Sequence, residues 1–112
     1  MAAAFHYIEA QIRYLLTEEG GRRTGVCSGY RGQFYYNGDD HDGFQFFPDN
    51  EDGIALLGVT ARTLVQFSQE RWEEVHSKHI AVGTRFEIRE GNRTVGHGVV
   101  TNLDADPPEL RV

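Results

Sequence analysis

Polar and apolar positions alternate most clearly near the end of the chain. In TRFEIRE (84–90), Phe86 and Ile88 share one face, and Arg85, Glu87 and Arg89 share the other. That period of two marks a strand with one buried side. RTVGHGVVTNL (93–103) puts Val95, Val99 and Leu103 on one face. Gly91-Asn92, between these segments, has the form of a two-residue hairpin turn. VTARTLVQF (59–67) alternates too, with Val59, Ala61, Val65 and Phe67 opposite Thr60, Arg62 and Gln66.

Earlier segments are less regular. In YIEAQIRYLL (7–16), Ile8, Ala10, Ile12, Tyr14 and Leu16 alternate as in a strand, yet Ile8, Ile12, Leu15 and Leu16 also fall on one helical face and Gly20 suits a helix C-cap. Periodicity leaves both readings open. TEEGGRR (17–23) is a polar, glycine-bearing turn, and QFYY (33–36) reads as a strand. NGDDHDG (37–43) reads as an acidic loop whose asparagine and glycines suit positive φ. FQFFPDNEDG (44–53) turns from apolar to polar at Pro48. SQERWEEVHSKHIAVG (68–83) is the least strand-like stretch. Ser68 is placed to cap a short helix near 68–78, with Glu70 and Glu73 near its positive end.

The chain of 112 residues fits one domain, 1–112, with a core over about 5–103 and a loose tail, 104–112, that carries paired prolines. Thirteen glycines and frequent turn signals favour an all-β domain. One cysteine, Cys27, excludes an intrachain disulfide and suits a cytoplasmic setting. MAAAFHYIEA lacks the basic and apolar regions of a signal peptide, and no apolar run approaches a membrane span. The net charge of −6, from 17 acids and 11 bases, works against general attraction to nucleic acid or anionic membrane.

Candidate chemistry thins out on inspection. GNRTVGHG (91–98) has the glycine spacing of a phosphate loop. His97 and Gly98 stand where the lysine and hydroxyl are needed, and a β-branched run follows where a helix should begin. The segment reads instead as a hairpin whose Gly96 and Gly98 mark a tight bend or a close approach of another backbone. DDHD (39–42) and DNED (49–52) do not fit a calcium loop, and His76 and His79 form only an isolated pair. Cys27 and Ser28 belong to no nucleophile motif. The expectation is a protein that is not an enzyme and needs no cofactor, metal or nucleotide. Arg22, Arg23, Arg31, Arg89 and Arg93 lie near aromatics and could meet phosphates. Acids such as Glu18, Glu19 and Glu90 are equally near, and composition favours pairing with them.

Three stretches in order, EEGGRRT (18–24), GYRGQFYY (29–36) and FEIREGNRTVGHGVVT (86–101), resemble the C-terminal β-barrel domain of bacterial translation elongation factor Tu. The resemblance covers most of 5–103. It implies a closed, antiparallel six-stranded β-barrel and makes the first segment a strand. That domain does not hydrolyse GTP. It helps grip the acceptor and T-stem of aminoacyl-tRNA, packs on the GTPase domain and meets the nucleotide-exchange factor. By motif, Arg22, Arg31, Gln33, Glu90 and Gly91 fall at its tRNA-facing positions. Gly32 replaces the family's proline, which implies a looser turn. The acids at 39–42 stand where the family has an arginine and threonines, and would repel an RNA backbone. The region 44–83 matches poorly, and the sequence contains no GTPase domain. The leading expectation is a non-catalytic binding module for a protein partner, with translation as one context for it. The alternative is an accessory that binds tRNA weakly through Arg22, Arg31 and Glu90–Gly91.

Overall fold

Ile8, Ala10, Ile12 and Tyr14, alternate residues of the first segment, are fully buried. In a strand all four point one way; a helix would scatter them. The segment is strand β1, Phe5–Tyr14, in a computed structural model that describes residues 4–109. Tertiary pairing settles what periodicity left open. β1 lies between Thr60–Ser68 on one side and Arg93–Asn102 on the other, antiparallel to both.

The remaining strands, in chain order, are β2 (Val26–Cys27), β3 (Gln33–Tyr36), β4 (Asp39–His41), β5 (Phe44–Phe46), β6 (Ile54–Ala55), β7 (Thr60–Ser68), β8 (Arg85–Glu90) and β9 (Arg93–Asn102). The main sheet has the order β4-β3-β8-β9-β1-β7-β5, and β2 pairs with β6 in a separate ribbon. The sheet curls until its ends meet. Gln45 N on β5 donates to Tyr30 O at 2.9 Å, and Gly29 N donates to Gln45 O at 2.8 Å, just before β3 begins. The ring expected from the resemblance is therefore β3-β8-β9-β1-β7-β5. It is joined at one bridge rather than along a ladder, and β4 is added outside it.

The buried Gln45 side chain secures this seam. Its Nε2 donates to Gly43 O and Gly32 O at 2.7 and 3.1 Å, and its Oε1 accepts from Tyr14 Oη at 3.2 Å. Ser28 fastens the neighbouring ribbon: its Oγ donates to Gly53 O and accepts from Phe47 N, both at 2.9 Å. Ser28 is thus a structural staple.

Three sequence expectations change. First, 37–43 is not a simple loop. Asn37 and Gly38 both have positive φ, 53° and 84°, which fits the type I′ turn favoured in tight hairpins, and the acids after them form β4. Second, the inward face of β9 is not Val95, Val99 and Leu103. Gly96, Gly98 and Val100 oppose the inward residues Tyr14, Ile12 and Ala10, while Val99 lies opposite Gln11. A register shift between Ile88 and Arg89 leaves Val95 as the extra residue of β9, and it too is buried. The close approaches at the glycines come mainly from rings rather than a backbone. A Cβ at Gly98 would lie 2.3 Å from the Phe86 ring, and one at Gly96 3.1 Å from the Tyr14 ring. Third, the tail is held at its start. Ala105 N donates to Tyr7 O at 3.0 Å, and residues 106–109 line a cleft. Residues 110–112 lie outside the described region.

The stretch with the weakest strand pattern holds the short helix α1, Gln69–Glu74, and a 3-10 turn at His76–Lys78. Ser68 Oγ accepts from Arg71 N at 3.1 Å, as a capping serine should. Trp72 holds the helix to the barrel by stacking on His6, with ring centroids 4.0 Å apart.

Candidate functional site

The diglycine before Arg22 has a mechanical role. Gly20 takes a left-handed φ of 93°. A Cβ at Gly21 would lie 2.2 Å from Leu15 O, so only glycine fits there. Thr17 Oγ1 then donates to Arg22 O at 2.6 Å and fixes the arginine's backbone. From the opposite side comes the β8–β9 hairpin. Only its first central residue, Gly91, has positive φ, 61°, as in a type II′ turn. The turn sets Glu90 and Arg93 side by side.

These elements meet on the Glu90 carboxylate. Arg22 Nη1 and Tyr30 Oη both donate to Glu90 Oε2, the tyrosine at 2.5 Å, and Arg93 Nη2 donates to Oε1 at 3.1 Å. The Arg22 guanidinium also lies over the Tyr30 ring, 4.8 Å from its centroid. Burial alone would raise the Glu90 pKa. The hydrogen bonds from Tyr30 and Arg22, and the Arg22 charge, outweigh it and hold the carboxyl below its usual range. Burial first, then the adjacent carboxylate, pushes the Tyr30 phenol well up, so it remains a donor. Arg22 Nε is buried and has no partner among the described residues.

The other predicted site residues lie apart from this knot. Arg31 is exposed, with its guanidinium 5.9 Å from the Phe44 ring centroid. Gln33 lines a separate groove with Asp40, His41, Phe44, Arg71 and His76, and its Oε1 is buried with no partner among the described residues. Gly91 is exposed at the hairpin tip. Arg22 and Glu90 are therefore brought together, whereas Arg31 and Gln33 share no hydrogen bond with them among the described residues. The acidic departure at 39–42 has a local effect: Asp40 lies 3.9 Å from Arg89, whose guanidinium sits 4.3 Å from the Tyr35 ring centroid.

Gly32 is packed rather than loose. A Cβ there would lie 2.5 Å from both the Tyr30 ring and Ile88. The glycine makes room for the ring that reaches Glu90. Tyr30 was the residue that sequence reasoning left out, and its position inside the GYRGQF motif was the only signal for it. His76 is buried and bonded through Nδ1 to Tyr36 Oη at 2.7 Å. No group of three metal-binding side chains occurs among the described residues.

The family model for the elongation factor Tu C-terminal domain matches residues 2–104, a span that holds every strand of the barrel. The chain belongs to this family. Its curled antiparallel sheet agrees with that membership, and the match supports a binding module of translation-factor type. Among the described residues no helix is long and apolar enough to cross a membrane.

Proposed function

We propose that this protein is a non-catalytic binding module whose partner is another protein. The observation that carries this reading is the state of the arginines. Arg22 and Arg93 both lie on Glu90, and Arg89 faces Asp40. A guanidinium held by a carboxylate offers less to a phosphate, because binding RNA must first weaken the existing pair. The face that would grip tRNA is thus broken into paired charges, and the whole chain carries −6. An interface that buries neutralised charges and aromatic edges suits a protein better.

A second reading, weak binding of tRNA, is favoured by Arg31, which is exposed and forms no ion pair among the described residues. The two readings separate in one pair of titrations. The chain should bind a purified elongation factor Tu GTPase domain or its exchange factor, measured by calorimetry, and should leave labelled tRNA unbound at low salt. Tight tRNA binding that falls steeply with salt and is lost in Arg31→Ala would reverse the choice.

A further inference from the structure

Among the chain's four asparagines, Asn37 alone precedes a glycine; Asn50, Asn92 and Asn102 precede Glu51, Arg93 and Leu103. The difference is chemical. In an Asn-Gly pair the glycine's backbone nitrogen can reach the carbonyl carbon of the asparagine side chain, because no Cβ on the second residue stands in its way. Asn37 and Gly38 are both exposed. Beyond its chain neighbours, no atom lies within 4 Å of where a Cβ on Gly38 would sit. The pair therefore stands open to water at the tip of the β3–β4 hairpin.

The strand that this turn carries is lightly held. β4 has three residues, Asp39–His41, and pairs with β3 alone, so its outer edge has no partner strand among the described residues. Side chains supply the other fastenings. Asp40 lies 3.9 Å from Arg89, and the His41 ring centroid lies 4.8 Å from that of His76 and 5.0 Å from that of Tyr36. A short edge strand of this kind opens at a smaller free energy than the barrel behind it. While the hairpin is closed, its pairing holds the Asn37 backbone and keeps the Gly38 nitrogen from swinging towards the side chain. Each opening frees that rotation.

We propose that Asn37 is a site of spontaneous deamidation, and that the change unlatches β4. The Gly38 nitrogen attacks Asn37 Cγ, and the new C–N bond closes a five-membered succinimide ring. The Cγ–Nδ2 bond breaks, and Nδ2 leaves as ammonia with the proton given up by Gly38. Water then opens the ring. Attack at Cγ leaves aspartate; attack at the backbone carbonyl leaves iso-aspartate, in which the chain runs on through Cβ and Cγ. Water is the only co-reactant, and nothing is oxidised or reduced. Either product adds a negative charge close to Asp39, Asp40 and Asp42, where like charges repel. Iso-aspartate also adds a carbon to the backbone of a turn that spans only two residues. Release of β4 takes Asp40 from Arg89 and His41 from His76.

The test is incubation of the full chain in mildly alkaline buffer, followed by peptide mass mapping with fragmentation that separates aspartate from iso-aspartate. Asn37 should convert first, severalfold faster than Asn50, Asn92 or Asn102. Asn37→Gly leaves a Gly-Gly turn that suits the same hairpin, so it should abolish the early conversion and keep the fold. Hydrogen exchange of the aged protein should be severalfold faster at the β4 amides than in fresh protein, and unchanged in β1 and β9. An intact Asn37 after another asparagine has converted would overturn the site. Conversion that leaves β4 exchange as it was would overturn the unlatching. Faster exchange throughout the sheet would overturn it as well, because the modification would then loosen the whole barrel rather than one strand.

Discussion

At Gly98 one methyl group would be enough to disturb the core. The Phe86 ring fills the space where that side chain would lie, and it cannot swing away freely because Phe34 stacks on it at 4.2 Å. Gly98→Ala should cost about 1–3 kcal/mol by overpacking, and Phe86→Leu in the same chain should recover part of that loss in urea unfolding. Such positions explain a misreading of the sequence. A hydrophobic count weights Val95, Val99 and Leu103, but glycines occupy inward positions of β9 because rings from β1 and β8 use their space. The candidate site was legible only in part for a similar reason. Arg22 and Glu90 stand in motifs, but Tyr30 acts through a bond to a residue 60 positions away, which no local pattern reports. Glu90→Gln should lower stability by about 1 kcal/mol, since it weakens partly exposed ion pairs. It should also raise affinity for tRNA, measured by anisotropy at low salt, because Arg22 and Arg93 are released. Unchanged affinity would show that the pairing does not restrain them.

His76 links a residue to its element. Burial, aided by the nearby His41 and Arg71, lowers its pKa from 6.5 to about 4. As pH falls from 6.5 towards 4, the unfolded chain takes up a proton that folded His76 refuses. Stability is therefore full above 6.5 and declines through this window, by as much as about 3 kcal/mol. His41, whose pKa is also lowered by burial, adds to the same slope. The urea midpoint should drop between pH 7 and pH 5, and His76→Gln should flatten the decline. An unaltered slope in that variant would exclude His76 as its source. Helix α1, which leads into His76, was legible from its cap: Ser68→Ala should cost about 1 kcal/mol, read as a lower melting temperature. β4 was harder to find. Asn37-Gly38 is a strong hairpin signal, but the run of acids after it looks like solvated loop. It forms a strand because β3 offers an open edge, a fact of tertiary structure.

For the whole molecule, the decisive feature is the seam. Closure depends on one backbone bridge and on the amide of Gln45. Gln45→Leu fills the space but leaves the Gly32 and Gly43 carbonyls and the Tyr14 hydroxyl without their partner. It should cost roughly 2–4 kcal/mol and speed hydrogen exchange near Tyr30 and Gln45 before elsewhere. An unaltered exchange pattern would show that the ring does not depend on the amide. β1 lies inside the sheet, yet its partner on one side is strand β9: Glu9 pairs with Asn102. During synthesis β1 must therefore wait, unpaired on that side, until the residues of β9 have emerged. Pairings so distant in sequence slow folding, to milliseconds or longer for barrels of this kind. A chain stalled before β9 would present a bare, largely apolar β1 to its surroundings. It should then depend on chaperones more than the finished fold does.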